Sequence, residues 1–227
     1  MCGRYSLTTP AESVRRLFDY GDRPNLRPRY NIAPTDEVPV VRLARDGGAR
    51  ELVMMRWGLV PWWAEDTKIG AKTINARAET LARKPAFRDA FRERRCLVAA
   101  DGFYEWRKEG KLRRPFRITR RDHGPFAFAG LWDHFTPAEG APIVSFTIIT
   151  TEANALLRPL HGRMPVIVGA DDHRTWLSPG AGAPALQALL RPFPDDELSF
   201  FEVSPRVNKV ANDDASLIEP VADSRLL

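Results

Sequence analysis

Apolar runs of strand length, bounded by turn residues, recur along much of the chain, and a few stretches change to a helical period. VPVVRL (38–43) and ELVMMRWGL (51–59) are the first clear strand patterns, and the turn residues of ARDGGAR between them predict a hairpin. From residue 96 onward the β signal dominates. CLVAADGFYEWRK, RRPFRITR, PFAFAGLWDHF and PIVSFTIITTE follow one another, with EGK and DHG as turns, and HGRMPVIV and LSFFEVS add two later strands. Helical spacing appears in TTPAESVRRLF. There Thr9 is placed to cap, Pro10 to open the helix and Glu12 to complete a capping box, with Val14, Leu17 and Phe18 as the apolar stripe. RAETLARKPAFRDAFRERR predicts two short helices divided at Pro85, and ANALL, DDHRTWL and PALQALL predict further short ones. SPGAGAP (178–184) is too short to separate two cores. The pattern therefore predicts one α+β domain over residues 1–227, with a largely antiparallel, barrel-like sheet core and flanking helices.

Composition narrows the function classes. The 227 residues, 44% hydrophobic and 28% charged, are ordinary for a globular protein with a sizeable core. A net charge of +5 admits a polyanionic partner without requiring one. No apolar run approaches the roughly 20 residues of a membrane span, and MCGRYSLTTPAESVRR has no signal-peptide core, so a cytoplasmic monomer is expected. Two cysteines cannot build a disulfide framework, and with no CxxC or HxxxH spacing neither a metal nor a cofactor is expected. Cys96, inside CLVAA, reads as an inert buried thiol. IGAKT lacks the first glycine of a phosphate loop, and GxSxG is absent, which excludes a nucleotide-triphosphate site and leaves a serine hydrolase unsupported.

Candidate chemistry begins at Cys2. If Met1 is removed, this residue carries an α-amine and a thiol on neighbouring carbons, with ordinary pKa values near 7.7–8.0 and 8.5, so a useful fraction of each would be deprotonated at neutral pH. Such a pair closes a thiazolidine on an aldehyde or attacks an amide through sulfur. In ADGFYEW, strand alternation puts Phe103 and Glu105 on one face and Tyr104 and Trp106 on the other. Glu105 then reads either as a partly desolvated acid–base group or as a rim carboxylate paired with an arginine. His161 stands in a loop just ahead of a strand, with Arg163 beside it, whereas His123, His134 and His173 read as structural. Trp57 belongs to the core. Trp62 and Trp63, in WGLVPWWAED, read either as a plug under a loop or as exposed stacking surfaces for single-stranded nucleic acid. Asn75 and Arg77 are expected at a helix start, where backbone N–H groups favour an anion.

Seven segments in order, MCGRYSL, RYNIAPT (29–35), MRWGLVPWWA (55–64), TINARAET, ADGFYEW, IITTEAN (148–154) and HGRMPVIV, make the chain resemble the SOS-response-associated peptidase (SRAP) family of abasic-site DNA-crosslinking proteins. The resemblance implies that the mature N-terminal cysteine, here Cys2, links to the ring-opened sugar of an abasic site in single-stranded DNA as a thiazolidine. It further implies Asn75, Glu105 and His161 as the other catalytic residues, and Arg4, Arg77, Trp62 and Trp63 as DNA contacts, with Asn31, Pro34 and Thr150 in matching motifs. Self-removal of Met1 is a further implied activity. The rival is an N-terminal-nucleophile cysteine amidohydrolase, which also begins Met-Cys-Gly.

Overall fold

The computed structural model describes residues 2–44 and 48–221. Its strands are β1 (Tyr5–Leu7), β2 (Arg29–Ile32), β3 (Glu37–Leu43), β4 (Arg50–Trp57), β5 (Asn75–Arg77), β6 (Arg95–Ala100), β7 (Gly102–Glu109), β8 (Leu112–Arg120), β9 (Phe126–Phe135), β10 (Ile143–Glu152), β11 (Arg163–Pro165), β12 (Ile167–Val168) and β13 (Leu198–Glu202). Four short helices flank them: α1 (Ala11–Phe18), α2 (Arg88–Glu93), α3 (His173–Leu177) and α4 (Ala183–Leu189). Strands β4, β3, β6, β9 and β10 pair antiparallel in that order, and β10 returns to β4 in parallel, closing a ring of five. Closure removes the sheet edges that would otherwise be open to pairing. The α+β, barrel-like architecture expected from the hydrophobic pattern is the one observed.

Strand β10 is the hub of this arrangement. Residues 145–151 are all buried, which explains the near-continuous apolar and threonine run of SFTIITT. Along one side β10 pairs with β4 and then β5; along the other it pairs with β9 and then β11. A second sheet, ordered β13-β8-β7-β1-β2, packs its β1 and β7 residues Tyr5 and Phe103 into the same core. The ring of Phe128 receives the edges of both.

Local expectations met mixed outcomes. The β3–β4 hairpin forms with continuous register from Glu37↔Arg56 to Leu43↔Arg50, although residues 45–47 of its turn lie outside the described residues. Helix α1 starts at Ala11 with Val14 and Phe18 buried, but the capping box does not form. The Thr9 hydroxyl instead donates to Asp101, and Glu12 binds Arg15 and Arg16. A buried carboxylate outcompetes the helix end for the threonine. Of the two helices expected around Pro85, only α2 appears, with residues 78–87 folded as turns; ANALL is also a series of turns. Cys96 is fully buried, as expected.

Asp101, between β6 and β7, fastens the N-terminal segment to the second sheet. One oxygen accepts from Ser6 Oγ at 2.7 Å and from the Arg117 guanidinium at 3.1 Å. The other accepts the Thr8 amide, the Thr9 amide at 2.8 Å and both threonine hydroxyls. Burial pushes this carboxyl's pKa up, but the donors and Arg117 outweigh it and hold the pKa below the usual value. Asp101 therefore adds stability above the unfolded carboxylate range and loses it as pH falls through the lowered folded value. Asp101→Ala should lower stability by about 3–5 kcal/mol, because Arg117 is left buried without its carboxylate. Urea denaturation at neutral pH measures this, and the deficit should shrink on acidification.

Candidate active site

The N-terminal strand brings Cys2 to β7. Tyr5 pairs with Phe103, and one residue earlier the Tyr104 amide donates to the Arg4 carbonyl at 3.0 Å. Continuing that register sets Gly3 opposite Glu105 and leaves Cys2 fully buried at the end of the ladder. The Cys2 thiol donates weakly to the same Arg4 carbonyl, at 3.8 Å. Asn75 Nδ2 donates to the Cys2 carbonyl at 2.8 Å, which fixes the residue's backbone.

Asn75 reaches that position from a strand. The expected helix start is replaced by β5, which runs parallel to β10 with Ile148↔Asn75 and Thr150↔Arg77. The hydrogen-bonding capacity of β10 overrides local helical character. Asn75 Oδ1 is buried and has no hydrogen-bond partner among the described residues. An acceptor in that condition costs free energy until a donor arrives. Across β10, β11 pairs Glu152↔Arg163, and His161 stands just ahead of it. His161 Nδ1 lies 2.9 Å from the Arg163 amide and 3.2 Å from the Arg163 carbonyl, which fixes the ring against its own loop.

Glu105 lies between these groups and is 5% exposed. Burial raises its pKa, and the charge of His161 works against the rise. Burial, reinforced by Glu105, also pushes the Cys2 thiol far above its ordinary range. Cys2, Asn75, Glu105 and His161 converge on one spot from four separate parts of the chain.

The outer residues divide into exposed and buried groups. Trp62 and Trp63 are 60% and 44% exposed, which rules out the plug and leaves them as available stacking surfaces. Their loop has a rigid neck. A Cβ on Gly58, whose φ is +116°, would come within 2.7 Å of the Gly70 carbonyl oxygen, so the two backbones cross where side chains do not fit. Above the neck, Ser145 Oγ and Asp133 accept the amides of Val60 and Trp62 at 2.8 and 3.3 Å. Arg77 is exposed at the end of β5, and Pro34 is half-buried in the turn before Thr35. Asn31 and Thr150 are buried and bonded internally, so their side chains do not present a DNA surface. Asn31 instead accepts from Arg4 Nη1 at 2.8 Å and donates to the Val207, Lys209 and Asn212 carbonyls. Arg4 itself donates to the Val207 carbonyl at 2.7 Å.

Three features escaped the sequence reading. Asp101 sits within ADGFYEW but was overshadowed there by Glu105. Arg163 pairs with Glu79 at 2.6 Å and donates to the Thr150 carbonyl at 2.6 Å, holding the His161 loop against β10. The carbonyls of residues 207–212 carry no side-chain signature at all.

Residues 1–210 match the SOS response associated peptidase (SRAP) family, and the chain belongs to it. It is 40% identical over 224 residues to the abasic site processing protein YoaM of Bacillus subtilis (strain 168), covering 96% of this chain and 98% of that protein. The abasic site processing protein HMCES of Gallus gallus is 32% identical over 263 residues, covering 97% of this chain and 78% of HMCES. A crystal structure of a Bacteroides thetaiotaomicron protein superposes with a TM-score of 0.89 at 26% identity, covering 97% of this chain and all of that one.

Glu105 gives the site a stability signature. A carboxyl whose folded pKa is raised binds its proton more tightly folded than unfolded, so stability falls as pH rises from the unfolded value through the folded one. Glu105→Gln should melt higher than wild type at pH 7, with the two converging near pH 4. Thermal melts across that range provide the measurement.

Proposed function

We propose that the chain crosslinks to abasic sites in single-stranded DNA through Cys2 once Met1 is removed. The relatives' description as abasic site processing proteins supports the lesion class. The observation that carries the chemistry is the burial of the Cys2 thiol beside a carboxyl with a raised pKa, with the Cys2 backbone held by Asn75.

The Cys2 α-amine adds to the C1′ aldehyde of the ring-opened sugar and gives a carbinolamine. Glu105, whose pKa burial raises, donates a proton as the hydroxyl leaves as water, forming an iminium. The carboxylate then takes the thiol proton, and sulfur adds to the iminium carbon to close the thiazolidine. One water is released and Glu105 returns to its acid form. His161 assists opening of the sugar ring by protonating its oxygen, and the unpartnered Asn75 Oδ1 accepts from the α-amine or a sugar hydroxyl. Arg77 and Arg4 attract phosphates, and Trp62 and Trp63 stack on or wedge apart flanking bases.

Incubation with an abasic single-stranded oligonucleotide should give a heat-stable adduct on a denaturing gel. Cys2→Ala keeps the amine, so it should give only an imine that borohydride traps and heat destroys. An equally heat-stable Cys2→Ala adduct would sink the thiazolidine. For Met1, intact mass of Glu105→Ala decides between self-processing, which leaves Met1 attached, and removal by a separate aminopeptidase.

A further inference from the structure

We infer that the outer β7–β8 hairpin and the backbone after Cys2 form a phosphate-binding subsite, with Lys108, Arg113 and Arg4 as its cations and Trp106 as its wall. The subsite would hold the DNA strand that carries the lesion, and so it rests on the function proposed above.

The hairpin's two faces differ in charge. Its register is Trp106↔Pro115, Arg107↔Arg114, Lys108↔Arg113 and Glu109↔Leu112, so Arg107 and Arg114 share one face and Lys108 and Arg113 the other. On the first face the cations are neutralised. Arg107 binds Glu109 at 2.7 Å, and Arg114 binds Glu202 at 2.7 Å and Glu109 at 3.3 Å. On the second face Lys108 and Arg113 stand directly opposite each other and exposed, and neither makes an ion pair among the described residues. Like charges directly opposed across a strand pair are destabilising. Folding alone gains nothing from that arrangement, whereas an anion between them would relieve it.

The charged face adjoins the backbone that follows Cys2. Arg113 lines a pocket of about 340 Å³ together with Gly3, Arg4, Trp106 and Asn208. Trp106 is fixed by its indole N–H, which donates to Asn208 Oδ1 at 2.7 Å. Arg4 is hydrogen-bonded to neutral acceptors, Asn31 Oδ1 and the Val207 carbonyl, and makes no ion pair among the described residues. Because the pocket begins at Gly3, a strand whose sugar reacts at Cys2 meets it within a nucleotide of the bond. A phosphodiester supplies the anion, and its sugar or base packs on Trp106.

The test is binding of an undamaged single-stranded oligodeoxynucleotide, followed by fluorescence anisotropy over a range of salt concentrations. The double variant Lys108→Ala/Arg113→Ala is compared with Arg107→Ala/Arg114→Ala, which removes the same formal charge from the other face. The first should bind about tenfold more weakly at low salt. Its plot of log K against log salt should be shallower by about 1.4, since each phosphate contact on a single strand contributes about 0.7. Its melting temperature should stay level or rise, because a repulsive pair has been removed. The second should keep the wild-type slope. An unchanged slope for the first variant, or equal changes in both, overturns the subsite while leaving the Cys2 chemistry intact. A heat-stable adduct by Cys2→Ala, with the hairpin effect preserved, overturns the thiazolidine alone. A wild type with no salt-dependent DNA binding overturns both.

Discussion

The geometry at Cys2 depends on one carboxylate. Asp101 gathers donors from Ser6, Thr8 and Thr9 and pairs with Arg117, so the first ten residues cannot lift from the second sheet without exposing or orphaning a buried ion. A short N-terminal strand would ordinarily fray. Here it is fastened from behind, at residues 6–9, while the Arg4 side chain is fastened from the side by the carbonyls of the C-terminal segment. These two fixings hold the chain that follows Cys2, and the Asn75 amide holds the Cys2 carbonyl itself.

That fastening makes the burial of ionisable groups tolerable. A carboxyl and a thiol in an apolar wall both prefer their protonated forms, and their proximity strengthens the preference. In water such groups would stand far apart in acidity. Burial raises both. The fold gives up stability at neutral pH to hold Glu105 in that state, and the apolar core of the barrel and second sheet makes up the difference.

Much of this was legible in the sequence. Apolar runs bounded by turn residues located β3, β4, β6 to β10 and β13, most of them buried over long stretches, but the short β1, β2 and β5 were not read as strands. Motif character marked Cys2, Glu105 and His161 as candidates, and the family resemblance joined them with Asn75 into one set of four. The failures share one cause. Asn75 and Arg77 lie in a stretch with a helical look, but β10 offered an open edge, and pairing with it decided the backbone. Thr9 looked like a helix cap until Asp101, more than ninety residues away, claimed its hydroxyl. Asn31 and Thr150 sit in the right motifs but face inward, and nothing local reveals that Asn31 is spoken for by carbonyls near residue 210. Backbone acceptors have no letter in the sequence.

The bond from Arg4 to the carbonyl of Val207 spans 203 positions, and it has a consequence for how the protein is made. Synthesis runs from the N-terminus, so Cys2 emerges from the ribosome long before Asn75, Glu105 and His161, and Arg4 waits for nearly the whole chain. A nascent or truncated polypeptide would carry the nucleophile without its acid, its orienting amide or its anchored arginine. Assembly of Cys2, Asn75, Glu105 and His161 into one place thus arrives together with completion of the fold.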